Sequence, residues 1–277
     1  MKVETIDLPT GSYEIAVAGP GGRPLLLIHG FTGAKEDFAD FIDPFADRGF
    51  HVVAPDLRGH GGSVQPADEA AYSLALMAQD VLALADGLGW DGFSVVGHSM
   101  GGMVAQHVVL AAPRRVGALI LMDTDHGTVS GIDPDLAALA IEVARSEGLA
   151  ALAELQRQYD PPLATGPDAR VRAERPGYVE FGERKFLSCS PAMYAAMAGE
   201  LLGPADRLPA LRGIATPTLV LVGEEDASFR DAAARMAAAI PGAELVVVPD
   251  AGHSPQFEAA DVWWDAVSGF LERVRPT

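Results

Sequence analysis

The run Gly97-His98-Ser99-Met100-Gly101 constrains this chain more than any other stretch. It follows the apolar segment Phe93-Ser94-Val95-Val96 and opens the helix-like stretch Gly102 to Leu110, so it reads as strand, sharp turn and helix. A serine at such a turn is held in a strained backbone conformation with its hydroxyl projecting, and glycines two residues to either side let neighbouring backbone close in. The Met100 amide then lies at a helix N-terminus, where unpaired N–H groups and the dipole favour a developing negative charge. A serine that merely caps the helix is the plainer alternative. Against it stand partner residues downstream, in the order a nucleophilic serine needs.

The bulk numbers narrow the class. With 277 residues, 49% of them hydrophobic, the chain buries a large core and suits one α/β domain, or one domain with an insertion. A formal charge of −18 gives no basic footprint for nucleic acid or anionic lipid, so neither nucleic acid nor membrane is an expected partner. Oligomeric state is not legible. The start, Met1 to Asp7, carries charges where a signal peptide has an apolar core, and a cytoplasmic chain is expected. The single Cys189 excludes an internal disulfide and is expected to be buried filler.

Taken in order, Tyr13 to Ala18 alternates like a strand, and Leu25-Leu26-Leu27-Ile28 is a continuous apolar run of the kind buried on both faces of a parallel sheet. It ends in His29-Gly30-Phe31-Thr32-Gly33, at the strand's carboxyl end, where open α/β sheets place their ligands. A helix from Asp37 to Arg48, a strand from Phe50 to Ala54 and a helix from Ser73 to Leu88 follow. Within the loop after that strand, Asp56 and Arg58 are expected to pair with each other, with His60 a loop histidine. A further strand spans Ala118 to Met122. This alternation predicts a doubly wound, mostly parallel sheet of about eight strands.

From about Gly127 to Gly213 only helical segments are expected: Pro134 to Glu147, Leu149 to Tyr159, Pro167 to Leu187 and Pro191 to Leu202. Proline boundaries fall at Pro161-Pro162, Pro176, Pro191 and Pro204. Residues 127–212 read as an all-helical cap, and 1–126 with 213–277 as the core. The rhythm resumes with Pro217 to Gly223, then Glu224-Glu225-Asp226, a helix from Phe229 to Ala239 and a strand from Ala243 to Val248. The last strand runs into Asp250-Ala251-Gly252-His253, and a final helix covers Glu258 to Val274.

Four motifs in order, His29-Gly30-Phe31, Gly97 to Gly101, Gly223 to Asp226 and Gly252-His253, make the chain resemble the α/β-hydrolase superfamily over essentially its whole length. The resemblance implies Ser99 as nucleophile, His253 as general base and then acid, and Asp226 as the residue that orients the imidazole. It implies an oxyanion hole from the backbone amides of Phe31 and Met100. Some relatives place the acid after the earlier strand, so Asp123 is the rival to Asp226. Serine at position 99 argues against the haloalkane dehalogenase and epoxide hydrolase branches, which use aspartate there. The chemistry of the residues agrees, because a hydroxyl is a poor nucleophile without an adjacent base held by a third group.

The expectation is a cofactor-independent serine hydrolase of carboxylic esters or lactones, acting on a small molecule through an acyl-enzyme. A carbon–carbon bond hydrolase of a vinylogous diketone, a non-catalytic ligand receptor and a lyase all remain open on the same fold. Met193, Tyr194 and Met197, with Phe186 and Leu187, are candidate pocket residues in the cap, against ordinary packing. Asp123, Asp125 and His126 resemble a metal cluster only by proximity in sequence, and no metal is expected. The basic cluster Arg170, Arg172, Arg175, Arg184 and Lys185 is interleaved with acids and reads as a solvated face. The sharper reading turns one arginine inward, toward a substrate carboxylate.

Overall fold

A computed structural model of the chain describes residues 1–157 and 165–274. In chain order the strands and helices are β1 (Lys2–Leu8), β2 (Gly11–Ala18), β3 (Arg23–Ile28), α1 (Ala39–Asp47), β4 (Phe50–Pro55), α2 (Leu74–Gly87), β5 (Phe93–His98), α3 (Met100–Ala111) and β6 (Val116–Met122). Then come α4 (Pro134–Ser146), α5 (Leu149–Gln156), α6 (Gly166–Glu174), α7 (Tyr178–Leu187), α8 (Pro191–Leu202) and α9 (Leu208–Leu211). β7 (Thr218–Gly223), α10 (Ala227–Ala239), β8 (Glu244–Val248), α11 (Pro255–Glu258) and α12 (Ala260–Arg273) complete the chain. Among the described residues no helix is long and apolar enough to cross a membrane.

The strands form one eight-stranded sheet in the order β1-β2-β4-β3-β5-β6-β7-β8. Only the pairings of β2, with β1 and with β4, are antiparallel. The apolar run in β3 shows why a parallel sheet results. Leu26 and Ile28 enter a core shared with Val81, Val104 and Val108, while Leu25 and Leu27 enter a second core with Phe38, Phe45 and Trp263. α2 and α3 cover one face and α1 and α12 the other, so both faces are dry and the strands need no polar side.

The helical region between β6 and β7 packs on the first of these cores, through Leu149, Leu152, Met193, Met197 and Leu201. The starts of α4 and α8 are capped by side chains. Asp133 accepts from the amides of Asp135 and Leu136, and Ser190 accepts from Met193. The expected helix from Pro167 to Leu187 is in fact two, because Pro176 cannot continue a helix and Gly177 adopts φ +79°. The end of the helix expected over Leu149 to Tyr159, and the Pro161-Pro162 boundary, lie outside the described residues.

β1 had no counterpart in the sequence pattern. It is an edge strand whose residues are mostly exposed, so no apolar alternation marks it.

Candidate active site

β5 ends at His98, and Ser99 turns the chain into α3 with φ +53° and ψ −119°. The turn closes only because its flanking residues lack side chains. A Cβ on Gly97 would lie 2.4 Å from the Gly101 carbonyl oxygen, and one on Gly101 would lie 2.4 Å from the carbonyls of Ile28 and His29. Strands on one side secure the turn: Ser99 N–H donates to the Met122 carbonyl at 2.9 Å, and the Thr124 hydroxyl donates to the Ser99 carbonyl at 2.6 Å. The strain at Ser99 is thus held by β6.

Three side chains from three separate loops meet here. His253 Nε2 lies 3.0 Å from Ser99 Oγ, and His253 Nδ1 lies 2.8 Å from Asp226 Oδ2. A carboxylate oxygen only accepts, so Nδ1 carries the proton and the Nε2 lone pair faces the serine hydroxyl, the tautomer a base requires. Asp226 follows β7 and is 3% exposed; its amide donates to the Gly223 carbonyl at 3.2 Å. Gly223 lets that loop sit against the histidine loop, because a Cβ there would lie 2.0 Å from the Gly252 carbonyl oxygen.

The loop that carries His253 is clamped from two directions. The Glu258 carboxylate accepts from the Gly252 amide and, at 3.3 Å, from the Ser254 amide, on both sides of the histidine. From β5, His98 Nε2 donates to the His253 carbonyl at 2.6 Å. Burial drives the His98 imidazole down to about 3, with His253 nearby adding to it, so it serves as a neutral donor. Burial pushes the Glu258 carboxyl up, against the two amides that favour its charge. The Phe229 ring stacks on the His253 ring with centroids 4.7 Å apart.

The loop from His29 to Gly33 lies against the serine. A Cβ on Gly30 would come within 3.1 Å of Ser99 Cβ. His29 holds this loop, accepting from the Leu57 amide at Nε2 (3.0 Å) and donating from Nδ1 to the Gly30 carbonyl (2.8 Å). Burial keeps the His29 imidazole below its ordinary value and thus neutral. The Met100 amide is the first of α3 and has no acceptor within the helix. The Phe31 ring packs on Tyr194 of α8, centroids 5.0 Å apart, so the cap meets this loop directly.

Of the pocket candidates, Tyr194 touches Phe31 and Phe186, whereas Met193 packs against Gly59 and Tyr72 of the core. Met197 is wholly buried in the same core cluster. The basic cluster of the cap is engaged elsewhere. Arg170 donates to the Asp250 and Glu258 carbonyls, Arg172 pairs with Asp168 and Arg175 with Asp40, while Arg184 is exposed. Lys185 alone turns inward, where it pairs with the buried carboxylate of Asp37. Cys189 is buried and its thiol is pushed up to about 12 by that burial.

One local expectation is corrected. Asp56 and Arg58 do not pair: Asp56 is bound to Lys35 at 2.9 Å, and Arg58 to Asp80 at 2.6 Å. Neighbours two apart in a loop point apart here, and each finds an opposite charge on another element. Asp123, Asp125 and His126 do not converge on one point, although His126 Nδ1 lies 4.0 Å from Asp125 Oδ1. His126 sits between Asp206 (2.8 Å) and Arg235 (3.0 Å), Asp125 accepts from the Gly127 amide, and Asp123 accepts from the Gly223 amide. His29 and His98 hold loops by hydrogen bonds, as their motif positions suggest, whereas the clamping role of Glu258 and the stacking of Phe229 carried no sequence signal, since their partners are distant loops.

Comparison with known proteins identifies the family of the fold. The family model described as alpha/beta hydrolase fold matches residues 23–260. A 2-hydroxymuconate semialdehyde hydrolase from Pseudomonas putida is 31% identical over 257 residues, covering 90% of this chain and 87% of that protein. A thermophilic esterase from Thermogutta terrifontis is 31% identical with a TM-score of 0.81, covering all of both chains. An enol-lactonase from Burkholderia xenovorans LB400 is 25% identical with a TM-score of 0.83, covering 97% of this chain and 100% of that one. By these measures, the chain belongs to the α/β-hydrolase superfamily, as a catalytic member with a helical cap.

Proposed function

We propose that the chain is a serine hydrolase that cleaves a carboxylic ester or lactone through an acyl-enzyme. The observation that carries the reading is the continuous line from Asp226 through His253 to Ser99, with hydrogen-bond distances of 2.8 and 3.0 Å. Ser99 attacks the carbonyl carbon as His253 takes its proton at Nε2, and Asp226 stabilises the imidazolium. The Phe31 and Met100 amides bind the oxyanion, aided by the dipole of α3. His253 returns the proton to the leaving oxygen, then activates the water that releases the acid. Each step uses groups already in place.

A second reading is kept for a specific reason: the Pseudomonas putida relative, matched over most of both chains, is named for the hydrolysis of 2-hydroxymuconate semialdehyde. The curated relatives favour this carbon–carbon bond hydrolase more than they favour an esterase. The solved structures of an esterase and an enol-lactonase support the ester or lactone reading, and Arg170, Arg172 and Arg175 are committed to other partners rather than to a substrate carboxylate. Steady-state kcat/KM for p-nitrophenyl esters and simple lactones, set beside a vinylogous 1,5-diketone acid, separates the two. Turnover of the diketone alone overturns the ester reading and leaves the serine mechanism intact.

A further inference from the structure

At the end of β6, Asp123 occupies a position the mechanism leaves unused. It is 0% exposed and has φ +45°, a left-handed conformation that non-glycine residues adopt rarely and aspartate more readily than most. Its Oδ1 accepts from the Gly223 amide at 2.8 Å, and no donor reaches its buried Oδ2. That oxygen is not isolated. One carboxyl oxygen of Asp123, one of Asp226 and a ring nitrogen of His253 all lie within 4.8 Å of one another.

Two buried carboxylates at this distance cannot both be ionised without a cation between them, and a shared proton is the ordinary resolution. The same contact would give a metal ion its donors, but His253 Nδ1 and Asp226 Oδ2 already face each other across a hydrogen bond of 2.8 Å. We propose that Asp123 is a protonated positioning residue that donates its O–H to Asp226, locking the carboxylate that orients His253 while adding no second negative charge to the triad.

The inference rests on Ser99, His253 and Asp226 acting as the triad, and it assigns Asp123 a part in it. The groups that face Asp123 are Asp226 from the loop after β7, His253 from the loop after β8 and Glu258 from α11. Burial and the charge of Asp226 hold the Asp123 carboxyl well above the ordinary carboxylate range, and Glu258 acts in the same direction. Asp226 accepts from His253 and therefore keeps the charge. Asp123 accepts from Gly223 with one oxygen and donates with the other, which leaves neither buried oxygen without a partner.

The test compares wild type with Asp123→Asn, which keeps a neutral donor, and Asp123→Ala, which removes it. In infrared difference spectra at pH 7, wild type minus Asp123→Asn carries the C=O stretch of a protonated carboxyl; the band pair of a carboxylate in its place overturns the proposal. The rate of fluorophosphonate labelling at Ser99 is then followed against pH. Asp123→Asn keeps the rate within about threefold, with the acidic limb unmoved, while Asp123→Ala loses roughly 10- to 100-fold, as when an outer support of a reacting group is removed. An acidic limb displaced to lower pH in Asp123→Asn overturns the proposal, because that is the effect of deleting a negative charge beside the histidine.

Should Asp123→Asn fail to fold, as judged by near-ultraviolet circular dichroism, Asp226→Asn replaces it. Replacing the charged acceptor by a neutral amide oxygen shifts the protonated C=O band of Asp123, and a band that stays in place overturns the proposal. Wild-type protein that does not label at Ser99 contradicts the proposed function, while the infrared comparison still decides where the proton is.

Discussion

His98 Nε2 donates to the backbone carbonyl of His253 at 2.6 Å, so the residue that precedes Ser99 also holds the loop that carries His253. Ser99 and His253 are thereby referred to one strand, β5, although they lie 154 residues apart in sequence. A carbonyl only accepts, and the depressed value of about 3 keeps His98 neutral over the working range, so this restraint does not change with pH.

Replacing His98 by alanine is expected to lower kcat by roughly 10- to 100-fold with little change in KM, because the base is loosened while the binding surface stays. His98→Gln, which restores a donor, is expected to recover part of the loss. Steady-state kinetics on the three proteins checks this, and wild-type kcat in His98→Ala contradicts it.

Asp226→Asn is expected to cost on the order of 10⁴-fold in kcat, since an amide partner favours the wrong imidazole tautomer. Asp123→Asn is expected to stay close to wild type. A reversed ranking, measured on one substrate under one set of conditions, places the acid on β6 rather than β7.

Acid stability tests a second buried site. Burial alone would raise the Asp56 carboxyl, but the hydrogen bonds from the Lys35 amide and ammonium and from the Gly62 amide outweigh that and hold it below its ordinary 3.8. A carboxyl held low contributes stability that is present above about pH 4 and is lost as pH falls through the lower folded value. Asp56→Asn leaves the Lys35 ammonium with Glu14 at 2.6 Å and Glu36 at 2.9 Å, and is expected to cost about 3 kcal/mol at neutral pH. Thermal unfolding from pH 7 to pH 3 should show wild type losing more stability than the variant across the acid end of that range.

Within the cap, Met193 and Tyr194 are expected to behave differently. Met193 is wholly buried against Gly59 and Tyr72, so Met193→Ala should cost about 2–5 kcal/mol of stability and leave acyl preference alone. Tyr194 meets the Phe31 loop, so Tyr194→Ala should change the preference for acyl-chain length. A chain-length series of p-nitrophenyl esters with parallel melting curves reads both, and identical behaviour of the two variants contradicts the assignment.

The sheet and the elbow were legible because they depend on patterns local in sequence. Leu25 to Ile28 is apolar throughout because both faces of β3 are dry, and Gly97 and Gly101 are glycine because nothing larger fits. β1 was illegible for the opposite reason: an exposed edge strand carries no hydrophobic period. The Glu258 clamp on His253 escaped notice because Glu258 looks like an ordinary helix residue until the loops fold together, whereas His98 sits in a motif position that suggests a loop-holding role. Asp56 shows the limit of proximity along the chain, since its partner is Lys35, 21 residues away, and not Arg58. Asp123 and Asp226 looked like alternatives in sequence, yet their carboxyl oxygens lie within 4.8 Å of each other.

The central claim is that Ser99 is a nucleophile activated by His253. Treatment with a fluorophosphonate, followed by peptide mapping in a mass spectrometer, tests it without knowledge of the substrate. The account predicts one adduct per chain, on Ser99, absent from Ser99→Ala and strongly slowed in His253→Ala. An unmodified wild-type protein, or an adduct that persists in Ser99→Ala, would contradict it.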